Sequence, residues 1–184
     1  TTPETGVDGG GNFPANLGGW TNGTGGAYAS ASTVNGDCHS ADRMFKFFKV
    51  GGPDGQFVNQ TITALPAGNY NWSFYSQWGD AGHANGPTGT APGNLPSWSA
   101  EGDNQPKFTI LVQDDTGAWV ADQATVMTEP TTVLTWVQDS GTWTNTETRD
   151  VRIKFAKNGG TAAGGGSNTD KLMYIDDASL TYAS

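Results

Sequence analysis

The sequence predicts an all-β domain, an antiparallel β-sandwich. Apolar residues recur with a period of two in short runs, and no stretch sustains the period of an amphipathic helix. Clusters of Gly, Pro, Asn and Asp punctuate those runs at turn spacing. The chain has 184 residues, which is enough for one core and short of two ordinary domains.

The elements follow in order. Residues 43–50 alternate, with Phe45 and Phe47 on one face and Met44, Lys46 and Phe48 on the other. Residues 57–63 set Val58, Gln60 and Ile62 against Phe57, Asn59 and Thr61. Leu65, Pro66, Ala67 and Gly68 make a turn, with Pro and Gly where turns need them. Residues 70–78 form the strongest strand, with Tyr70, Trp72 and Phe74 on its core face. Its other face carries Asn71, Ser73, Tyr75 and Gln77. A polar, Gly- and Pro-rich region then fills 79–106, too long for an idle connection. Strands are expected at 108–113 and 119–120 around an Asp114–Gly117 hairpin turn, then at 131–137, 141–144, 150–156 and 172–182. In 150–156 Val151, Ile153 and Phe155 point inward and Arg152 and Lys154 outward. Residues 1–10 read as a linker end and 11–184 as a single module, so tethering to other modules of a longer chain is expected.

Composition narrows the function classes. Nine basic against eighteen acidic residues give a net charge of −9, a poor field for nucleic acid or an anionic membrane surface. No apolar run approaches the roughly 20 residues of a membrane helix, so direct membrane insertion is not expected. The single Cys38 permits neither an internal disulfide nor a cysteine-based zinc site. Aromatic residues at 11% and charged residues at only 15% exclude global disorder.

The order of several short motifs carries a resemblance. Gly11-Asn12-Phe13 and Gly19-Trp20 open the module, and Val58-x-Gln60-x-Ile62 leads to the turn and strand Leu65-Pro66-Ala67-Gly68-Asn69-Tyr70-x-Trp72-x-Phe74. Thr135-Trp136, Trp143-Thr144, Val151-x-Ile153-x-Phe155 and Tyr174-Ile175-Asp176-Asp177-Ala178-Ser179-Leu180 complete it. From Gly11 onward the chain resembles the β-sandwich carbohydrate-binding modules of families 4, 9, 16 and 22. It departs from them in having no Glu after Phe13 and a longer 79–106 region. The resemblance implies a jelly roll, secretion or a cell-surface location, binding of a polysaccharide or oligosaccharide, and no catalysis. It also implies a structural Ca²⁺, held by Asp177 or Asp176 with N-terminal oxygens around Gly11 and Asn12.

Sugar recognition sets its own requirements. Hydroxyls need amide, carboxylate or guanidinium partners, and C–H faces need flat aromatic rings. Tyr75, Gln77 and Asn71 on one strand face meet both requirements. Trp78 ends that strand and Trp98 lies in the following region with His83, so these residues are expected to wall a site. A walled site suits a curved chain, which favours β-1,3-glucan (laminarin). Outward Arg152 and its neighbours Lys154 and Lys46 leave an acidic glycan such as alginate as the alternative. Two further readings are an adhesion or spacer domain and a jelly-roll lyase or hydrolase. A glycosidase needs two carboxylates facing across a cleft, and the Glu residues lie outside the alternating strands.

Overall fold

A computed structural model describes residues 19–22, 39, 45–47, 56–79, 106–130, 135–157 and 172–183. Among them are strands β1 (Trp20–Asn22), β2 (Phe45–Phe47), β3 (Gln56–Leu65), β4 (Gly68–Gly79) and β5 (Lys107–Gln113). The series continues with β6 (Trp119–Val126), β7 (Val137–Asn145), β8 (Arg149–Lys157) and β9 (Leu172–Tyr182), and the described residues contain no helix. A five-stranded sheet runs β1-β3-β8-β5-β6 and a four-stranded sheet β2-β9-β4-β7. Every pairing is antiparallel. This is the antiparallel jelly-roll sandwich that the alternation and the resemblance predict.

Aromatic rings from both sheets fill the space between them. Phe74 of β4 meets Phe108 of β5 at 5.3 Å and Phe155 of β8 edge-on at 5.0 Å between ring centroids. Trp72 lies 4.8 Å from Phe108, while Trp20 bridges Phe45 at 4.7 Å and Phe155 at 5.8 Å. Such offset and edge contacts add to the area they bury. Val58, Ile110, Val112, Val151 and Ile153 complete the core from the inward positions of their strands. Ile62 is only half-buried, because β3 loses register with β8 just beyond it. The side chain of Phe47, also expected in the core, lies outside the described set.

The turns follow their chemistry. Gly68 closes the β3–β4 turn with φ +149°, and an added Cβ would stand 2.4 Å from the Tyr182 ring. The Tyr70 hydroxyl donates to the Pro66 carbonyl at 2.9 Å. Asn145 Nδ2 donates to the Leu65 and Pro66 carbonyls, and Arg149 Nε donates to Asn145 Oδ1. Two turns at the same end of the sandwich are thereby tied together. In the β5–β6 turn, Asp114 Oδ1 accepts the Thr116 and Ala118 N–H groups, and Gly117 takes φ +82°.

One strand expectation is corrected. Thr135 and Trp136 lie outside any strand, and β7 runs unbroken through Gly141. Gly141, expected to open a strand, instead lies inside β7 opposite Trp72, where an added Cβ would be 2.5 Å from the indole. The glycine makes room for a core ring rather than opening a strand.

Candidate functional site

Two sheet faces point away from the core. On the four-stranded sheet, β4 presents Asn71, Ser73, Tyr75 and Gln77 outward, as the alternation predicts. Register places Asn71 between Thr142 and Thr181, and Ser73 between Ser140 and Ser179. These uncharged side chains line a shallow trough of about 310 Å³. The Ser73 and Ser179 hydroxyls are 2.8 Å apart and already paired with each other.

Further along the same face the surface is covered. The His39 ring stacks on Tyr75 with centroids 3.6 Å apart and meets Trp136 edge-on at 5.7 Å. His39 N–H donates to Asp176 Oδ2 at 2.9 Å, and His39 Nδ1 lies 2.7 Å from Asp177 Oδ2. Gln77 is 1% exposed and Asp176 fully buried. The expectation of an open floor is therefore corrected at Gln77, which the fold covers, while the half-buried Tyr75 ring carries the His39 imidazole. Asn71 is exposed. The Trp78 backbone pairs with Met173 at the end of β4, and its side chain is outside the described set. Trp98, His83, Gly11 and Asn12 also lie outside the described residues.

A bulge shapes the acidic pair. β9 inserts an extra residue opposite β4 between Ser73 and Tyr75, and Asp177 takes φ +49° there. Both carboxylates consequently meet His39. Asp176 Oδ1 also accepts the Asp177 N–H at 2.7 Å. Two neighbouring carboxylates are hard oxygen donors of the kind Ca²⁺ takes, and Ca²⁺ needs about six to eight such ligands. Among the described residues no group of three or more His, Cys, Asp or Glu side chains converges on a metal position. Further ligands would have to be backbone oxygens or groups outside the described residues.

The outer face of the five-stranded sheet carries a different chemistry. Arg152 and Lys154 alternate on β8 and face outward together. Register sets Arg152 between Thr61 and Leu111, and Lys154 between Asn59 and Thr109. The Arg152 guanidinium lies 4.0 Å over the Trp119 ring, and its Nε donates to Thr61 Oγ1 at 3.1 Å. Lys154 Nζ lies 4.2 Å over the Phe57 ring. Asn59, opposite Lys154, is held by the Thr21 hydroxyl, which donates to its Oδ1 at 3.0 Å. Partial burial lowers the pKa of both cations, and the charge of Arg152 lowers that of Lys154 further. Among the described residues neither cation has an ion-pair partner.

The alternation places Arg152 and Lys154 outward but does not join them to Trp119 and Phe57. That step requires the strand order, because Trp119 belongs to β6 and Phe57 to β3, on opposite sides of β8. Trp143, by contrast, is a core ring whose Nε1 donates to Asp122 Oδ2 at 2.6 Å.

No family model matches the sequence, and no curated protein matches it. Solved structures do match. One is a family 16 carbohydrate-binding module, with TM-score 0.53, 14% identity, and coverage of 87% of this chain and 89% of that one. Another is the CBM22-1 xylan-binding domain of Paenibacillus barcinonensis Xyn10C, with TM-score 0.54, 13% identity, and coverage of 100% and 93%. The chain has the β-sandwich fold of carbohydrate-binding modules. The same fold occurs inside larger proteins: 99% of this chain aligns with 22% of the enzymatically active domain of bacteriophage CBA120 tailspike protein 4, at TM-score 0.55 and 14% identity.

Proposed function

We propose that this chain is a non-catalytic carbohydrate-binding module of a secreted or cell-surface protein, and that it holds a polysaccharide on the outer face of its five-stranded sheet. The supporting observation is the outward group Trp119, Arg152, Lys154 and Phe57, in which two N–H donor side chains of β8 lie between a ring from β3 and a ring from β6. A sugar needs that combination: apolar C–H faces against rings, and hydroxyls against directional donors. The fold shared with a xylan-binding domain agrees with this reading. No helix among the described residues is long and apolar enough to cross a membrane.

A second reading places a β-1,3-glucan at Trp78 and Trp98. It is supported by β4 running through Trp78 to Gly79, directly into the long polar region that carries Trp98. Titration calorimetry of the chain with xylo- and laminari-oligosaccharides and acidic glycans tests both. In the first reading Trp119→Ala weakens binding about 30-fold, the effect of an aromatic hot spot worth about 2 kcal/mol. In the second reading Trp78→Ala and Trp98→Ala do so. Failure to bind any glycan overturns the function, and release of shortened product from a glycan overturns its non-catalytic part.

We also propose a structural Ca²⁺ at Asp176 and Asp177, completed by oxygens around Gly11 and Asn12. The convergence of both carboxylates at the β9 bulge supports it.

A further inference from the structure

We propose that the polysaccharide recognised here bears carboxylates, as a uronic-acid polymer does, and that Arg152 and Lys154 read those carboxylates. This inference rests on the glycan-binding reading of the five-stranded sheet and names its ligand class.

The first support is the unused donor capacity. A guanidinium has five N–H donors and an ammonium three. Arg152 uses its Nε on Thr61, and among the described residues its terminal nitrogens have no hydrogen-bond partner. Lys154 Nζ likewise rests on a ring and on no oxygen there. The terminal edge of a guanidinium matches a carboxylate through two parallel hydrogen bonds.

The second support is what the fold tolerates to keep these charges together. Like charges on alternate residues of one strand face repel, and each is partly desolvated. The chain carries eighteen acidic residues against nine basic ones, so a carboxylate neighbour would be a common way to relieve that cost. None pairs with either cation among the described residues. A neutral glycan needs donors but not charge, and uncharged donors of the Asn, Gln or Ser type would serve it without repulsion.

The third support is the rigidity and spacing of the pair. Each cation sits over an aromatic ring, an arrangement that restrains a long side chain before ligand arrives. Alternate residues of a strand lie about 7 Å apart, a span comparable with the repeat of a sugar chain. Two cations in a chain of net charge −9 suit a ligand with one charge per sugar better than a densely sulfated one.

The test compares one polymer in two states: polyuronate, and the same polymer with its carboxyls reduced to primary alcohols. Calorimetry or affinity electrophoresis on the intact chain should show binding to the first and at least about tenfold weaker binding to the second. Lys154→Met keeps the apolar stem on Phe57 and removes the charge. Arg152→Lys keeps the charge and removes the fork. Both should weaken polyuronate binding by about tenfold, with thermal melts confirming an intact fold. Equal binding of the acidic and reduced polymers, or unaltered affinity in both variants, overturns the uronate assignment while glycan binding stands. Preference for a sulfated glycan over the polyuronate overturns it as well. Binding to no glycan, acidic or neutral, overturns the glycan reading itself.

Discussion

A Cβ added at Gly141 would stand 2.5 Å from Trp72 Cζ2 and 2.8 Å from Cε2. Real side chains do not approach so closely, and Trp72 is held by Phe74 and Phe108, so it has little room to retreat. Gly141→Ala should therefore destabilise the domain by about 1–3 kcal/mol through overpacking. Urea unfolding measures this, and Trp72→Phe in the same chain should restore part of the loss. An unchanged midpoint in the single variant would show that the ring is not confined there. The same residue marks what the sequence leaves hidden. Alternation identifies Trp72 as inward-facing, but a glycine in a strand looks like a stop until the ring beneath it is known. Gln77 presents the converse case. Its place on the outward face is legible from the period of two, yet its burial depends on Tyr174 opposite it and on the cover over that face.

The β5–β6 hairpin is the element whose local chemistry speaks most directly. Asp-Asp-Thr-Gly reads as a turn, and Asp114 accordingly accepts the N–H of Thr116 and Ala118 and the Thr116 hydroxyl. These hydrogen bonds favour the ionised form and hold the Asp114 carboxyl below its usual value. A depressed pKa in the fold contributes stability above the unfolded value of about 3.9 and loses it as pH falls through the lower folded value. The amide resonances of Thr116 and Ala118 should thus titrate together with a midpoint below about 3.9. Asp114→Ala should abolish that titration and lower the melting temperature. A midpoint at the ordinary carboxylate value would mean the turn does not bind the charged form. The bulges could not be read in this way. Asp122 is the extra residue of β6, between partners Ala121 and Gln123. Nothing in Ala-Asp-Gln signals it, because a bulge is fixed by the partner strand and by the Asp122 contact to Trp143.

At the scale of the whole molecule the two outer faces divide the chemistry: cations and rings on one, uncharged hydroxyls and a covered aromatic cluster on the other. The sandwich itself was legible because its core residues alternate. The ring-and-cation row was not, because it is assembled from β3, β6 and β8, which only the sheet order brings onto one face. The acidic pair in β9 links this architecture to the proposed Ca²⁺. Asp176 is fully buried and accepts the backbone N–H of His39, a residue 137 positions away in sequence. An ion there would therefore bind the folded chain and not the unfolded one. By mass action, calcium at a hundred times its dissociation constant adds about 2.7 kcal/mol. For a domain of this size that is roughly 5–10 °C in melting temperature, at about 2–4 °C per kcal/mol. Calorimetric scans in calcium and in EDTA should differ by that amount. Asp176→Asn keeps the shape of the side chain and removes one anionic oxygen, so the calcium-dependent part of the shift should vanish in it, whatever the variant's own stability. Identical scans of the parent chain in calcium and EDTA would remove the ion from the account and leave Asp176 a hydrogen-bond acceptor for the segment that carries His39.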